Sequence, residues 1–388
     1  MHVLLDATAI PADRGGVGRY VDELVPELQR TGVRLTVIAQ PRDRELFEQM
    51  ITDGQVVVVA GIARRPLRLA WEQVGLPALI RRLRPDVVHS PHYTMPLLTR
   101  RPVVVTLHDA TFFTTPDAHL PSKAKFFRTW IRLASRRASG LITPSKATRD
   151  EVVRLVGADP AKFMVAYHGV DHARFYPVDQ AEQARVRRTL DLPPAAASDG
   201  RAEGRYIGFL GTLEPRKNVP ALIRGWIAAC ADLPDPPALV LAGGKGWDLA
   251  IDDAAAEVPP NLRLLRPGYL PLADLPGFLA GAQVLAYPSR GEGFGLPVLE
   301  AMACGACVLT TGELSLPEVG GDAVAYCDTS PESIAAGLRT LLADEERRRA
   351  LAAAAIDRAA EFTWAAAAAN HLVAYHAALA ASARPARG

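Results

Sequence analysis

Short apolar runs alternate with longer amphipathic stretches along the whole chain. HVLLDA, RLTVIAQ, QVVVVAG, DVVHS, PVVVTLHD, GLITPS and KFMVAYHG are rich in Val, Ile and Leu, and each ends on polar or turn residues. Between them, apolar positions recur at helical spacing, which predicts helices over Arg19–Arg30, Leu67–Leu83, Ser122–Ala138 and Lys146–Val156. Near-continuous apolar strands joined by helices read as a parallel sheet covered on both faces. The texture changes after Tyr176-Pro177, where a charged helical stretch runs into PPAAASDGRAEG, a boundary region or exposed loop within 178–204. The alternation then restarts with YIGFLG, ALVLAGG, NLRLLRPGY, QVLAYPS, ACVLTT and AVAYCD. It closes in Ala-rich helical segments that include Pro331–Leu342 and Trp364–Ala381.

The fold class that follows is α/β, with two doubly wound Rossmann-like domains in series. The expected domains are 1–177 and 178–362, with 363–388 a C-terminal helix and tail packing back on the first domain. Two such sheets, facing across a cleft, would take ligands at the carboxyl ends of their strands. A length of 388 residues suits two domains, and 49% hydrophobic residues rule out bulk disorder.

The net charge of +2 hides an asymmetry. Residues 1–177 carry 25 Lys and Arg against 17 Asp and Glu, and the remainder carries 19 against 25. A basic half joined to an acidic half implies different partners for the two. The basic excess is too diffuse, and too poor in interleaved aromatics, for nucleic acid. Four cysteines make no disulfide framework, and the Cys304/Cys307 pair in AMACGACVLT reads as two small buried residues. No second Cys/His pair completes a zinc site. MHVLLDATAI reads as a first strand, not a signal peptide, and no apolar stretch is long enough to span a membrane, so a soluble cytoplasmic protein is expected.

The densest candidate chemistry lies in SRGEGFGLPVLEAMACG. A strand ends near Ser289, and Gly291, Gly293 and Gly295 lead into a helix opened by Pro297. The N–H groups of Phe294, Gly295 and Leu296 would face an anion at the helix N-terminus. Glu292 and Glu300 bracket this turn, and like charges cannot both address a phosphate. They suit sugar hydroxyls on either side of a bound diphosphate. In FLGTLEPRKNVPALI, Arg216 and Lys217 follow a strand end and would neutralise a diphosphate leaving group, with Asn218 as a helix N-cap. ADRGGVGRY is a weak dinucleotide fingerprint, since Val21 stands where a third glycine belongs, and a glycine loop approaching phosphates or acceptor fits better. His108 and Asp109 end the strand PVVVTLHD, as His89, His92 and His168 end others.

Together these residues resemble the large GT4-type family of retaining glycosyltransferases with the GT-B fold. The Glu292–x7–Glu300 spacing matches that family's signature, and PRKN at 215–218, GGVGRY at 15–20, HD at 108–109, TPS at 143–145, HGVD at 168–171 and SLPEVGGDA at 315–323 fall in family order. The resemblance implies that Arg216 and Lys217 bind the donor diphosphate, Glu300 the ribose hydroxyls and Glu292 the transferred sugar. Phe294, Gly295 and Leu296 would offer backbone contacts, and Gly16 would approach the donor from the first domain. His108 would sit near the reacting sugar and Asp109 would bind the acceptor. Gly243, Gly244 and the Gly268-Tyr269 loop would hold the base. No cofactor and no metal are implied, and no DxD motif of the metal-binding kind occurs. Thr212 stands where many relatives have Arg, a charge Arg216 would supply, and Cys307 stands where relatives often have Pro.

The implied activity is transfer of a hexose from a nucleotide sugar, GDP-mannose first, to a glycan, lipid-linked or small-molecule acceptor. UDP- and dTDP-sugars stay open, as do an epimerase of the same fold and an inactive nucleotide-sugar-binding protein. Lys123, Lys125, Arg128, Arg132, Arg136 and Arg137, beside Phe126, Phe127 and Trp130, read either as a contact with anionic membrane at the inner face or as a solvated helix face.

Overall fold

Each of the thirteen apolar runs forms one strand. The structure, a computed structural model, describes residues 1–12, 14–114, 120–192 and 204–383. The first seven strands are β1 (His2–Asp6), β2 (Arg34–Ala39), β3 (Gly54–Val58), β4 (Val87–Ser90), β5 (Val103–Thr106), β6 (Gly140–Thr143) and β7 (Phe163–Val165). They form one parallel sheet in the order β3-β2-β1-β4-β5-β6-β7. The others are β8 (Tyr206–Leu210), β9 (Ala238–Ala242), β10 (Leu264–Gly268), β11 (Val284–Tyr287), β12 (Val308–Thr311) and β13 (Ala325–Cys327). They form a second parallel sheet, β10-β9-β8-β11-β12-β13. The strand order reverses between β1 and β4 and again between β8 and β11. At such a point the two following loops part to opposite faces and leave a crevice at the carboxyl ends.

The helices of the first sheet are α1 (Gly15–Arg30), α2 (Arg44–Met50), α3 (Arg65–Leu83), α4 (Thr111–Thr114), α5 (Pro121–Arg137) and α6 (Lys146–Val156). α7 (Gln180–Thr189), α8 (Val219–Cys230), α9 (Ala250–Ala256), α10 (Leu275–Gly281), α11 (Leu296–Ala303), α12 (Leu316–Gly320), α13 (Pro331–Ala343) and α14 (Glu345–Ala359) accompany the second, and α15 (Trp364–Ala383) ends the described chain. α1 starts at Gly15, one turn before its apolar spacing predicted, so the GGVGRY glycines open a helix instead of lying in a loop. First-turn N–H groups need no acceptor within the helix, so glycine costs little there. Arg14 anchors this start through Asp22 and Asp43, the latter at 2.6 Å.

Contacts divide the chain into two compact units, Met1–Gly169 with the segment from Thr363, and Val170–Phe362. The division lies eight residues before the change of texture at 177. Residues 170–177 belong to the second unit by their contacts: Val170 N–H donates to Phe362 O at 3.2 Å, and Phe175 is buried. α15 packs on α1 and on the strands of the first sheet. At Gly169 a Cβ would lie 2.1 Å from Trp364 N, so only glycine fits under the returning chain. Most of the PPAAASDGRAEG stretch lies outside the described residues. Among those described, no helix is long and apolar enough to cross a membrane.

Candidate active site

The second sheet's switch point gathers the charged residues. β8 and β11 are hydrogen-bonded neighbours, so their following loops emerge side by side. The first carries Glu214, Arg216 and Lys217, and the second carries Ser289 to Gly295. Backbone bonds join them: Arg290 N–H and Ser289 Oγ donate to Arg216 O at 2.8 and 3.1 Å.

Glu292 is the hub. Its Oε2 accepts Arg216 Nη1 at 2.5 Å, and its Oε1 accepts Lys217 Nζ at 2.6 Å, Ser289 Oγ at 2.7 Å and Tyr287 OH at 3.0 Å. Lys217 also donates to Tyr287 OH, and Arg216 Nη2 reaches Glu214 Oε1 at 2.8 Å. Two cations thus face two carboxylates, with Lys217 and Glu292 both buried. Burial by itself would raise the Glu292 carboxyl, but Arg216 and then Lys217 outweigh it and hold the group at about 2. Burial and the neighbouring Arg216 push the Lys217 ammonium down, against the pull of Glu292. Burial and then Glu292 push the Tyr287 phenol well up, so it stays a hydrogen-bond donor.

The glycine turn is braced from the next strand. Thr311 Oγ1 donates to Ser289 O at 2.6 Å, and Ser315 Oγ donates to Glu292 O and Phe294 O at 2.8 and 2.9 Å. Gly295, at φ +106°, precedes α11, and a Cβ there would lie 2.9 Å from Leu316 Cδ2. With Phe294 packed against Phe362 and Pro297 in the first turn, the backbone of Phe294, Gly295 and Leu296 lies at the start of α11. Glu300 is buried further along α11. Gly243, at φ +137°, presses on the neighbouring loop, where a Cβ would lie 2.1 Å from Gly211 O. Gly244 follows it, and Tyr269 is largely exposed after β10. Asn218 precedes α8 but caps nothing with its side chain. Its Nδ2 donates to Thr329 O at 2.8 Å and its Oδ1 accepts Arg290 Nε at 3.1 Å, so the residue ties loops together.

The first unit places His108 and Asp109 just beyond β5. His108 Nε2 donates to Pro91 O at 2.7 Å, which assigns that tautomer, and its ring meets Tyr20 edge-on at 5.1 Å. Burial lowers its pKa, partly opposed by the Pro91 carbonyl and Asp109. Asp109 Oδ1 accepts Thr111 N–H at 3.1 Å and Thr111 Oγ1 at 2.8 Å. Gly16 is exposed in the first turn of α1, with open space where a side chain would go.

Residues 14–174 match the model of glycosyltransferase family 4, and residues 196–358 match that of the glycosyl transferases group 1. Over 94% of its length the chain is 30% identical to the D-inositol 3-phosphate glycosyltransferase of Kineococcus radiotolerans, covering 90% of that protein. The chain is a family 4 glycosyltransferase. It is also 28% identical to the O-antigen chain mannosyltransferase B of Escherichia coli, over 94% of this chain and 96% of that one. Anabaena HepE, solved with UDP and glucose, superposes with a TM-score of 0.72 at 20% identity, covering 96% of this chain and 98% of its own, which shows the shared GT-B fold.

In this glycosyltransferase, then, Arg216, Lys217 and Glu292 converge in the second unit, where Glu300, Gly243, Gly244 and Tyr269 also lie, while Gly16, His108 and Asp109 belong to the first. Sequence reasoning missed Tyr287 and Ser289. The available signal was a tyrosine ending an otherwise apolar strand and a serine two residues on, three before Glu292. Among the described residues, no group of three or more His, Cys, Asp or Glu is placed to hold a metal ion. Cys304 and Cys307 are buried free thiols, and burial pushes Cys307 to about 11. On α5, Phe127 lies in the core and Phe126 and Trp130 pack against it, so those aromatics are engaged inward and Lys125, Arg132, Arg136 and Arg137 are exposed.

Proposed function

We propose that this glycosyltransferase is a retaining hexosyltransferase that moves a sugar, mannose from GDP-mannose first, to a hydroxyl of a glycan, lipid-linked or small-molecule acceptor. The observation that carries the reading is the Arg216–Lys217–Glu292 cluster at the switch point, with Lys217 and Glu292 buried and Arg216 half-buried. With Glu214, which also pairs with Arg216, the charges of the cluster cancel. An arriving diphosphate competes with Glu292 for both cations, and the released carboxylate oxygens accept hydroxyls of the transferred sugar. Charged donors already gathered at one point need little reorganisation when negative charge develops. Glu300 holds the ribose, Gly243, Gly244 and Tyr269 the base, and the backbone at Phe294, Gly295 and Leu296 the sugar and phosphate. Gly16 approaches the diphosphate and Asp109 the acceptor.

In the step itself, the bond from the anomeric carbon to the diphosphate oxygen breaks with cationic character on the sugar. The acceptor oxygen bonds to the same face of that carbon, and its proton passes to the departing diphosphate. His108 stands beside the reacting sugar. Arg216 and Lys217 supply the positive charge, so the reaction needs no metal and proceeds in EDTA. The mannosyltransferase name of the Escherichia coli relative supports the sugar, and the two halves' opposite charge supports separate donor and acceptor partners.

The exposed cations of α5 suit a peripheral contact with anionic lipid at the cytoplasmic face. Co-sedimentation with anionic vesicles, lost at high salt, tests this. The donor is tested by a thermal-shift panel of GDP-, UDP-, ADP- and dTDP-sugars. A ligand at 100 times its Kd adds about 2.7 kcal/mol to stability. Stabilisation by GDP-mannose with turnover on an acceptor panel supports the proposal. Conversion of the donor to its epimer without acceptor, or binding without turnover, overturns it.

A further inference from the structure

His108 and Asp109 are held by a loop of another strand. Residues 91–97 follow β4, and Pro91 O accepts His108 Nε2 at 2.7 Å. Two residues on, Tyr93 OH accepts Asp109 N–H at 3.0 Å. The ring of His108 and the backbone of Asp109 are therefore tied to this loop.

The loop is not in a relaxed conformation. Tyr93 sits at φ +53°, in the left-handed region that side chains other than glycine rarely adopt. Such a residue stays there only when its surroundings over-determine it. Tyr93 N–H donates to Thr106 O at 3.1 Å and its ring packs on Phe112 and Phe127, and from Thr94 onward the loop is held by three side chains of α3. Thr94 Oγ1 donates to Glu72 Oε2 at 2.6 Å and accepts Arg68 Nη2 at 3.2 Å. Gln73 brackets the next residues, donating from Nε2 to Met95 O at 2.9 Å and accepting Leu97 N–H on Oε1 at 3.1 Å. Arg68 and Glu72 join at 2.6 Å, and Gln73 Nε2 donates to Glu72 Oε1 at 3.1 Å. Arg68, Glu72 and Thr94 are buried.

A buried ion pair is a poor way to gain stability, because well-packed apolar residues do as well or better. What it supplies is direction, since hydrogen bonds fix a group's angle and apolar packing does not. We propose that Glu72, Gln73 and Thr94 are positioning residues of the transfer reaction, which staple the β4 loop to α3 and through Pro91 and Tyr93 set the orientation of His108 and Asp109. The proposal rests on the role given to His108 above. With Nε2–H committed to Pro91, His108 keeps a single tautomer and presents Nδ1 in one direction. Releasing the loop frees the ring to exchange tautomers.

The test is Thr94→Val in the full chain, labelled with 15N-histidine, with His108→Ala used to assign the His108 signals. Wild-type protein shows the Nε2–H tautomer at His108. T94V shifts those signals toward a tautomer mixture and lowers kcat at least tenfold, while KM for the donor identified by the panel stays within twofold. Thr94→Ser restores both readouts. Gln73→Leu, at a half-buried position, repeats the effect if T94V does not fold. A folded T94V protein with wild-type His108 signals and wild-type kcat overturns the proposal alone. A fully active His108→Ala enzyme instead sinks the role given to His108, and the kinetic half of the proposal with it.

Discussion

Arg216 and Glu292 lie 76 residues apart in the chain, yet their side chains meet at 2.5 Å over the carboxyl ends of two adjacent strands. The adjacency comes from sheet order, because β8 and β11 are separated in sequence by β9 and β10. Lys217 completes the pair on the second carboxylate oxygen at 2.6 Å. A carboxylate so placed keeps two cations together at the carboxyl ends of the strands.

Loss of either cation should therefore be felt in turnover. Lys217→Ala is expected to lower kcat/KM by roughly 10²–10³, the scale for removing one preorganised charge-stabilising donor. Arg216→Lys keeps the charge but loses the fork that bridges Glu214 and Glu292, and should fall between wild type and Arg216→Ala. Steady-state kinetics with the donor from the panel measure both. Wild-type rates in Lys217→Ala would remove the cluster from the reaction.

Acid stability should depend on Glu292. A carboxyl lowered from 4.5 to about 2 on folding adds stability above its unfolded value and loses it as the pH falls toward 2. The contribution is about 3 kcal/mol, from roughly 1.4 kcal/mol per tenfold change in proton affinity. The melting temperature of Glu292→Gln should start lower at neutral pH and fall less steeply than wild type between pH 4.5 and 2. Parallel curves would mean that the carboxylate is not held as described.

A second window belongs to the first unit. On α15, His371 Nδ1 donates to Ala367 O at 2.7 Å, so its Nε2 accepts Tyr20 OH at 2.6 Å, and Tyr20 OH also contacts Thr106 Oγ1 at 3.0 Å. His89 bonds Thr106 and Tyr375 on its two ring nitrogens at 2.9 Å each. Burial lowers His371 from 6.5 to about 4, against the Ala367 carbonyl, and lowers His89 well below its ordinary value. A histidine buried neutral adds stability above its unfolded pKa and loses it as the pH falls through the folded one, so the loss runs from pH 6.5 down through 4. His371→Gln should make the melting curve less steep across that window and leave the limb below pH 4 intact.

Two glycines separate a backbone requirement from a ligand requirement. Gly243→Ala places a Cβ 2.1 Å from Gly211 O at φ +137°, and should destabilise by on the order of 3 kcal/mol, seen in denaturant unfolding. Gly16→Ala meets nothing within 4 Å and should melt at or slightly above the wild-type temperature. If the donor approaches Gly16 closely, the same variant loses turnover despite its intact fold. Unchanged kinetics would remove Gly16 from the donor site.

Much of this was legible in the chain. The apolar runs named the thirteen strands of the described residues because both faces of a parallel sheet are covered, so burial writes itself as continuous Val, Ile and Leu. The helix over Lys146–Val156 was legible to the residue, since Ser145 caps it and Gly157 ends it in the left-handed region. Elsewhere local rules misled. Asn218 has the composition of a cap but spends its amide on Thr329 and Arg290, partners that only folding brings near. The GGVGRY glycines looked like a loop because glycine is poor within helices, a rule that does not hold in the first turn.

The sequence by itself determined the alternation of strands and helices, the glycine turn and the cations at a strand end, because each is a short-range pattern of burial, φ or charge. It also carried the family. Only the tertiary structure decided that Glu292 is occupied by Arg216, Lys217, Tyr287 and Ser289, and that His108 and Asp109 hang on the loop after β4. The contacts of Glu292 with Arg216 and Lys217 join β11 to β8, whose order in the sheet differs from their order in the chain. Those of His108 and Asp109 join the ends of β4 and β5, neighbours in both orders but brought together only by pairing. A residue's neighbours across a sheet are set by that order, which no local pattern records.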